Sequence, residues 1–425
     1  MKKYIVNKSS LLGSLKIPSS KSQTMRAIIF ASLATGKSTI YNYLDSPDTI
    51  AAIDAIKAYG ARATIFKDKL EIIGTSGKVN INKENIYVNN SGILLRFITA
   101  ILSLGKKRVK IFGDDSVNNR DMSPLMDALS QLNAKISSNK NKAPIFIQGP
   151  IEPSNIKNIS GIDSQPISAL LIATSFLEKS TEIFVKNPGE KPWIDLTMSW
   201  LSKLNIKYVT KDHSYYKIFG NSSYNGFEYT VPSDLSTIAF PIASALITNS
   251  TLTIDNIDFD DKQGDGKLID ALIKMGANIE IKKNQIIVHK NSNLQGMTID
   301  INDYIDCITI LAVIGCFANG KTQIINAHVA RKKECDRISC ICRELKKMNA
   351  NIEETANGLI IYKSSLTGNN LNSYSDHRMA LSLIIAALNA NGESTIDNID
   401  CIKKTYPTFL EDFLSINANI KMSES

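Results

Sequence analysis

The sequence predicts an α/β fold built from six copies of one strand-and-helix unit, packed as two sets of three, and three observations predict it. The first is a repeated ending: at intervals of roughly 70 residues the chain reads Gly60-Ala61, Asn133-Ala134, Asn205-Ile206, Gly276-Ala277, Asn349-Ala350 and Asn417-Ala418. The second lies before those endings, where stretches such as LIDALIKMGANI (268–279) and LMDALSQLNAKI (125–136) space apolar residues three and four apart, the period of one buried helix face. The third is a strand pattern ahead of most helices. STIYNYL (38–44), STLTIDNI (250–257), KTQIINA (321–327) and STIDNID (394–400) follow Gly or Asn turns and are rich in β-branched residues. A unit this small cannot cover its own apolar face, so the copies must pack on one another.

The third copy ends near Tyr208, and VPSDLSTIAFPIASAL (231–246) begins a new apolar helix after Pro and Ser. The boundary is expected there. Residues 1–16 precede the first copy and are free to pair with the second half. The expected domains are therefore 17–230, and 1–16 plus 231–425 as a discontinuous partner.

With 425 residues and 43% hydrophobic content, the chain has apolar material for two cores and reads as soluble and globular. The N-terminal apolar runs are broken well short of a signal-peptide core, and no stretch is long enough to span a bilayer. A cytoplasmic location is the expectation. All six cysteines, Cys307, Cys316, Cys335, Cys340, Cys342 and Cys401, lie in the last third, where a disulfide framework would leave most of the chain unstapled. Free thiols fit better. ECDRISCIC (334–342) has no Cys-x-x-Cys pair, and His328 and His377 fall in unrelated segments, which argues against a metal site.

Lysine plus arginine exceed aspartate plus glutamate by 49 to 41, which favours an anionic partner. Pairs such as Lys106-Lys107 and Lys282-Lys283 are dispersed, not set in the aromatic-interleaved stripe of a nucleic-acid binder. Small anionic substrates explain the excess as well.

Several helix starts carry candidate chemistry. In PSSKSQTMRAIIFASLA (18–34) serines precede Lys21 at a helix start, and Arg26 follows Ser22 by one turn. Free N–H groups, the helix dipole and Lys21 together favour an anion. The glycine spacing of a P-loop is absent. In VNNSGILLRFITAIL (88–102) Gly92 allows close backbone approach and Asn90 can cap or bind. GDDSVNNRDMSPLMDAL (113–129) holds Arg120 in a polar loop, and SGIDSQPISALLIA (160–173) places Asp163, Ser164 and Gln165 at a helix start, a set suited to phosphate or hydroxyl recognition. Each segment alone is compatible with an ordinary capped helix. Their recurrence in copies one, two and three favours a site.

In the second half, ARKKECDRISCICREL (330–345) places Lys333, Glu334 and Arg337 within what reads as one helical turn. Two flanking cations depress a carboxylate's pKa unless desolvation raises it, so Glu334 serves as an acid only in a partly closed site. SYSDHRMALSLIIAAL (373–388) sets Asp376, His377 and Arg378 before an apolar helix, and Asp306 and Lys404 occupy corresponding approaches. No G-x-S-x-G elbow supports a triad hydrolase.

Taken in order, PSSKSQTMR, NNSG, DSQ, QGD (263–265), KKECDR, SDHRMA and KTYPTF resemble the 5-enolpyruvylshikimate-3-phosphate synthase family over nearly the whole chain. The resemblance implies two domains of three βαβαββ units with pseudo-threefold symmetry, an inside-out α/β barrel arrangement, closing on substrate at their interface. It implies transfer of the enolpyruvyl group of phosphoenolpyruvate to the 5-hydroxyl of shikimate 3-phosphate, with release of phosphate, in chorismate and aromatic amino-acid biosynthesis. By resemblance, Lys21 bridges both substrates and acts in catalysis. Ser22, Arg26, Ser164, Gln165, Asp306 and Lys333 hold shikimate 3-phosphate. Gly92, Arg120, Gln165, Arg337, Arg378 and Lys404 hold phosphoenolpyruvate. Asp306 accepts the 5-hydroxyl proton and Glu334 exchanges a proton with the methylene carbon. No metal or organic cofactor, nucleic acid or membrane is implied, and a monomer is expected.

The chain departs from the family pattern at several positions. Ile93 replaces a threonine, Asp163 replaces the first of two serines and puts an anion where a phosphate is expected nearby, and Trp193 stands for tyrosine, Val329 for asparagine and Asp121 for proline. The sister enolpyruvyl transferase acting on UDP-N-acetylglucosamine calls for a reactive cysteine in its first domain, and this chain has none before Cys307. A weakened relative that binds anionic metabolites without turnover is the other alternative. Retention of Lys21, Asp306, Glu334 and Arg378 speaks against it.

Overall fold

Each copy of the repeated unit folds into its own four-stranded sheet, and the six sheets share one layout. The computed structural model describes residues 2–424. In the third copy, strands Asn155–Ser160 and Thr181–Lys186 run parallel, and Tyr215–Ile218 and Tyr208–Lys211 complete the sheet antiparallel. A parallel pair needs a crossover, supplied here by helix Ser164–Thr174, and a second helix, Lys191–Lys203, leads into the closing hairpin. The result is the order βαβαββ.

Three strands join sheets far from their sequence neighbours. Glu228–Thr230 pairs parallel with Lys37–Tyr41, and Leu12–Lys16 pairs parallel with Thr251–Asp255. Lys2–Val6 lies between Ser394–Ile396 and Ile420–Glu424, antiparallel to both. The chain divides into two compact units, Ser19–Val231 and a second made of the segment through Pro18 together with Pro232 onward. Three sheets belong to each.

The cores are helical. Every residue of helices Ala239–Ile247, Ile308–Gly315 and His377–Ala387 is buried. In the other unit Lys21–Leu33, Gly92–Leu102 and Ser164–Thr174 are buried along almost their whole length. A helix apolar on all sides belongs in an interior. The second helix of a copy is amphipathic instead: Lys267–Lys274 buries Leu268, Ile269, Ala271 and Leu272 and turns its charges outward. An aromatic cluster anchors the Ser19–Val231 core, with Phe30 stacked on Trp200 at 5.3 Å and Trp200 Nε1 donating to Gln23 Oε1 at 2.7 Å.

The six recurrent endings are one local motif. Gly60, Asn133, Asn205, Gly276, Asn349 and Asn417 all have φ between 55° and 110°. At each, the following N–H reaches back five residues, as in Ala350 N to Leu345 O and Ala418 N to Phe413 O, both 3.0 Å, while Asn349 N donates to Lys346 O. This is the Schellman cap, which needs a left-handed residue and so selects Gly or Asn. The residue five back, Ile56, Leu129, Leu201, Leu272, Leu345 or Phe413, is buried in every copy.

Candidate active site

Of the expected site residues, Lys21, Ser22, Gly92, Ser164, Gln165 and Arg378 lie at the starts of buried helices, where caps and free N–H groups fall. In the Ser19–Val231 unit, Ser20 caps helix Lys21–Leu33, so Lys21 and Ser22 are its first two residues. Arg26 is 2% exposed. Its guanidinium donates to Thr197 Oγ1 at 3.0 Å, Trp193 O at 3.0 Å and Ser22 O at 3.2 Å, and it lies over the Phe97 ring. These bonds tie the side chain into the protein and fix its direction.

Gly92 opens helix Gly92–Leu102, where Ser91 is the capping position but makes no side-chain cap bond. Asn90 donates instead to Asp114, which itself caps the short Asp115–Asn118 helix ahead of Arg120. Arg96, one turn beyond Gly92, was not singled out from the sequence. It is fully buried, donates to Gly92 O at 3.2 Å and Asp121 O at 3.1 Å, and lies 3.5 Å from Asp163 Oδ2. Burial lowers its pKa from the usual arginine value, and the nearby carboxylates of Asp163, Asp121 and Glu190 oppose that shift.

Helix Ser164–Thr174 is capped by Asp163, whose side chain accepts from Gln165 N at 3.0 Å. Glu190 Oε2 accepts from both Ser164 N and Ser164 Oγ at 3.1 Å. Glu190 is also new: no local pattern around GEKPW announces it, because its partner lies 26 residues earlier.

In the other unit one ionic network unites five of the expected residues. Arg337 Nη1 lies 2.7 Å from Asp306 Oδ1, Arg337 Nη2 2.8 Å from Glu334 Oε2, and Arg337 Nε 2.7 Å from Asp376 Oδ2. Arg378 Nη2 is 3.0 Å from Asp306 Oδ2, and Lys404 Nζ is 2.8 Å from Glu334 Oε1. Burial opposes the charge on Arg337, yet Asp376, Glu334 and Asp306 outweigh it and drive its pKa well above the usual value. Arg378 is raised in the same way, against burial, chiefly by Asp306. Asp376 both caps helix His377–Ala387 through Arg378 N and Met379 N and anchors Arg337. Ser236 accepts from Arg378 Nη2 at 2.8 Å.

The helical turn expected over Lys333, Glu334 and Arg337 is not formed. Lys333 follows the His328–Lys332 turn with φ −86° and ψ −148°, which is not helical. Helix Arg337–Lys347 begins only after Asp336, whose side chain accepts from Ser339 N at 3.1 Å. A strong cap placed there starts the helix late. Glu334 therefore sits in the connection between the two, and it meets Arg337 through that bend. QGD (263–265) forms the turn Gly264–Gly266, in which Asp265 is fully buried and Cys307 Sγ lies 3.5 Å from Asp265 Oδ1.

Two carboxylates, Asp306 and Glu334, each held between cations and only partly exposed, suit proton transfer beside an anionic reactant. Among the described residues no group of three or more His, Cys, Asp or Glu side chains is arranged to hold a metal ion.

Comparison with known proteins identifies the family. The family model for EPSP synthase (3-phosphoshikimate 1-carboxyvinyltransferase) matches residues 5–413. The 3-phosphoshikimate 1-carboxyvinyltransferase of Chlamydia pneumoniae is 41% identical over 98% of this chain and 94% of its own length. That of Methanocaldococcus jannaschii is 39% identical over 98% of this chain and 99% of its own. A solved structure of EPSP synthase from Acinetobacter baumannii superposes with a TM-score of 0.83 at 24% identity, covering 100% of both chains.

Proposed function

The chain belongs to the EPSP synthase family, and we propose that it transfers the enolpyruvyl group of phosphoenolpyruvate to the 5-hydroxyl of shikimate 3-phosphate, releasing phosphate, in aromatic biosynthesis. The observation that carries this reading is the pairing of Asp306 and Glu334 through Arg337, with Arg378 and Lys404 on their outer oxygens. Asp306 takes the proton of the 5-hydroxyl as its oxygen bonds to C2 of phosphoenolpyruvate, and Glu334 delivers a proton to C3. Collapse of the tetrahedral intermediate then returns a proton from C3 to Glu334 and expels phosphate, which takes up the proton held by Asp306.

Arg120, Arg337, Arg378 and Lys404 offset the charge of phosphoenolpyruvate, and Gly92 lets backbone approach it. Ser22, Arg26, Ser164, Gln165 and Lys333 take shikimate 3-phosphate, the start of the Ser164–Thr174 helix receiving its phosphate. Lys21 serves both substrates. The enzyme works as a monomer in the cytoplasm, a reducing compartment that fits six free cysteines. Among the described residues no helix is long and apolar enough to cross a membrane.

The test is phosphate release from phosphoenolpyruvate by the purified chain, with shikimate 3-phosphate or UDP-N-acetylglucosamine as acceptor in parallel. Release with shikimate 3-phosphate alone, lost in Glu334→Ala, is expected. Release with the sugar nucleotide alone would overturn the reading.

A further inference from the structure

We propose that Glu190 is a specificity-determining residue: an internal carboxylate that occupies the donors of Ser164 and thereby weakens the hold on a phosphorylated acceptor relative to the same ring without phosphate. This rests on the reading that Ser164 receives the acceptor's phosphate.

A phosphate at a helix start needs the first N–H groups and a neighbouring hydroxyl. Here both donors of Ser164, its N–H and its Oγ–H, point to one oxygen of Glu190 at 3.1 Å. The next N–H, of Gln165, is taken by Asp163 at 3.0 Å. Two carboxylates therefore stand at the place meant for an anion. Arg96 answers Asp163 at 3.5 Å and feels Glu190 as well.

The backbone shows that Glu190 is held there. It is 2% exposed and adopts φ 44° and ψ 38°, a left-handed conformation that costs a residue with a Cβ. A glutamate facing solvent would have no reason to bear that cost. It starts helix Lys191–Lys203 without a side-chain cap bond, and one of its carboxylate oxygens accepts from Ser164 instead. An incoming phosphate must either displace this carboxylate, leaving it buried without two hydrogen bonds, or lie beside it as a like charge. An acceptor lacking the phosphate meets neither obstacle.

The competing explanation is that Glu190 only balances the charge of Arg96. Neutralising it would then weaken binding of both ligands together, through the fold.

Calorimetric titration of the full chain with shikimate 3-phosphate and with shikimate separates the two. The variants are Glu190→Gln, which keeps the shape and removes the charge, and Glu190→Asn, which also suits the left-handed backbone. Both should bind shikimate 3-phosphate about tenfold more tightly, the worth of one charge-assisted hydrogen bond, while shikimate changes less than twofold. Unchanged or weaker binding of shikimate 3-phosphate, or a parallel shift in both ligands, overturns the proposal. Turnover with phosphoenolpyruvate is measured alongside. A wild-type chain that binds shikimate 3-phosphate without turning it over counts against the assigned reaction, and the ratio of the two affinities still decides the role of Glu190. If the wild-type chain binds no shikimate 3-phosphate, gain of binding in either variant supports the proposal and continued absence in both overturns it.

Discussion

Lys404 Nζ stands 2.8 Å from Glu334 Oε1, with both side chains about nine-tenths buried. The two residues nevertheless have different expected duties, one as a phosphoenolpyruvate-binding cation and one as a proton carrier. Glu334→Gln should lower kcat by about 10²- to 10⁴-fold, the usual worth of a positioned acid or base, with KM for phosphoenolpyruvate little changed. Lys404→Met should act mainly on that KM. Steady-state kinetics on the two variants reads the split, and equal effects on both constants would refute it.

Asn349 illustrates the repeated helix cap. With φ 68° it sits where the chain must turn left-handed between Met348 and Ala350. Asn349→Gly should leave stability unchanged or slightly raised, because glycine bears no Cβ penalty. Asn349→Val should cost about 1–2 kcal/mol. Thermal melts of the two variants against the parent give the ranking, and a valine variant as stable as the glycine one would contradict it.

The parts of this protein that could be read from the sequence are those fixed by local chemistry. The Schellman cap needs a left-handed Gly or Asn, and here each copy also carries an apolar residue after it and, five positions before that residue, a buried apolar one, so its six copies are visible as text. The same holds for Asp163 and Asp376, whose capping bonds lie within three residues. What escaped depends on contacts across the fold. Glu190 meets Ser164 only once the parallel strands Asn155–Ser160 and Thr181–Lys186 have paired, and Arg96 meets Asp163 only once the second and third copies have packed; in sequence Arg96 looks like one polar residue in an apolar helix. The late start of helix Arg337–Lys347 was hidden for the opposite reason. Lys333 and Arg337 have helical spacing, but Asp336 is a local cap strong enough to override it.

Gly92 leaves little room beside it. A Cβ there would lie 3.2 Å from Arg96 Nη1 and 3.6 Å from Gln165 Oε1. Arg96 cannot retreat easily, since it is buried and bonded to Asp121 O. Gly92→Ala should therefore disturb phosphoenolpyruvate more than shikimate 3-phosphate, with KM for the former raised roughly fivefold, about 1 kcal/mol of overpacking. Equal changes in the two KM values would remove Gly92 from the phosphoenolpyruvate pocket.

Asp265 supplies a pH signature. Burial, reinforced by the negative charge of Asp306 and opposed by Arg378, raises its pKa from 3.8 to about 7, and its Oδ2 is buried with no hydrogen-bond partner among the described residues. Between pH 4 and pH 7 the unfolded chain has released this proton while the folded chain keeps it. The folded state then binds more protons, so stability falls as pH rises through that window and stays lower above it. Roughly three pH units at 1.36 kcal/mol each bound the loss at about 4 kcal/mol. Asp265→Asn removes the titrating group while preserving the shape that packs against Cys307. Its melting temperature should fall less between pH 5 and pH 8 than that of the parent, with the two proteins closest at pH 5. A variant whose melting temperature tracks the parent across the whole range would show that Asp265 ionises as freely in the folded chain as in the unfolded one.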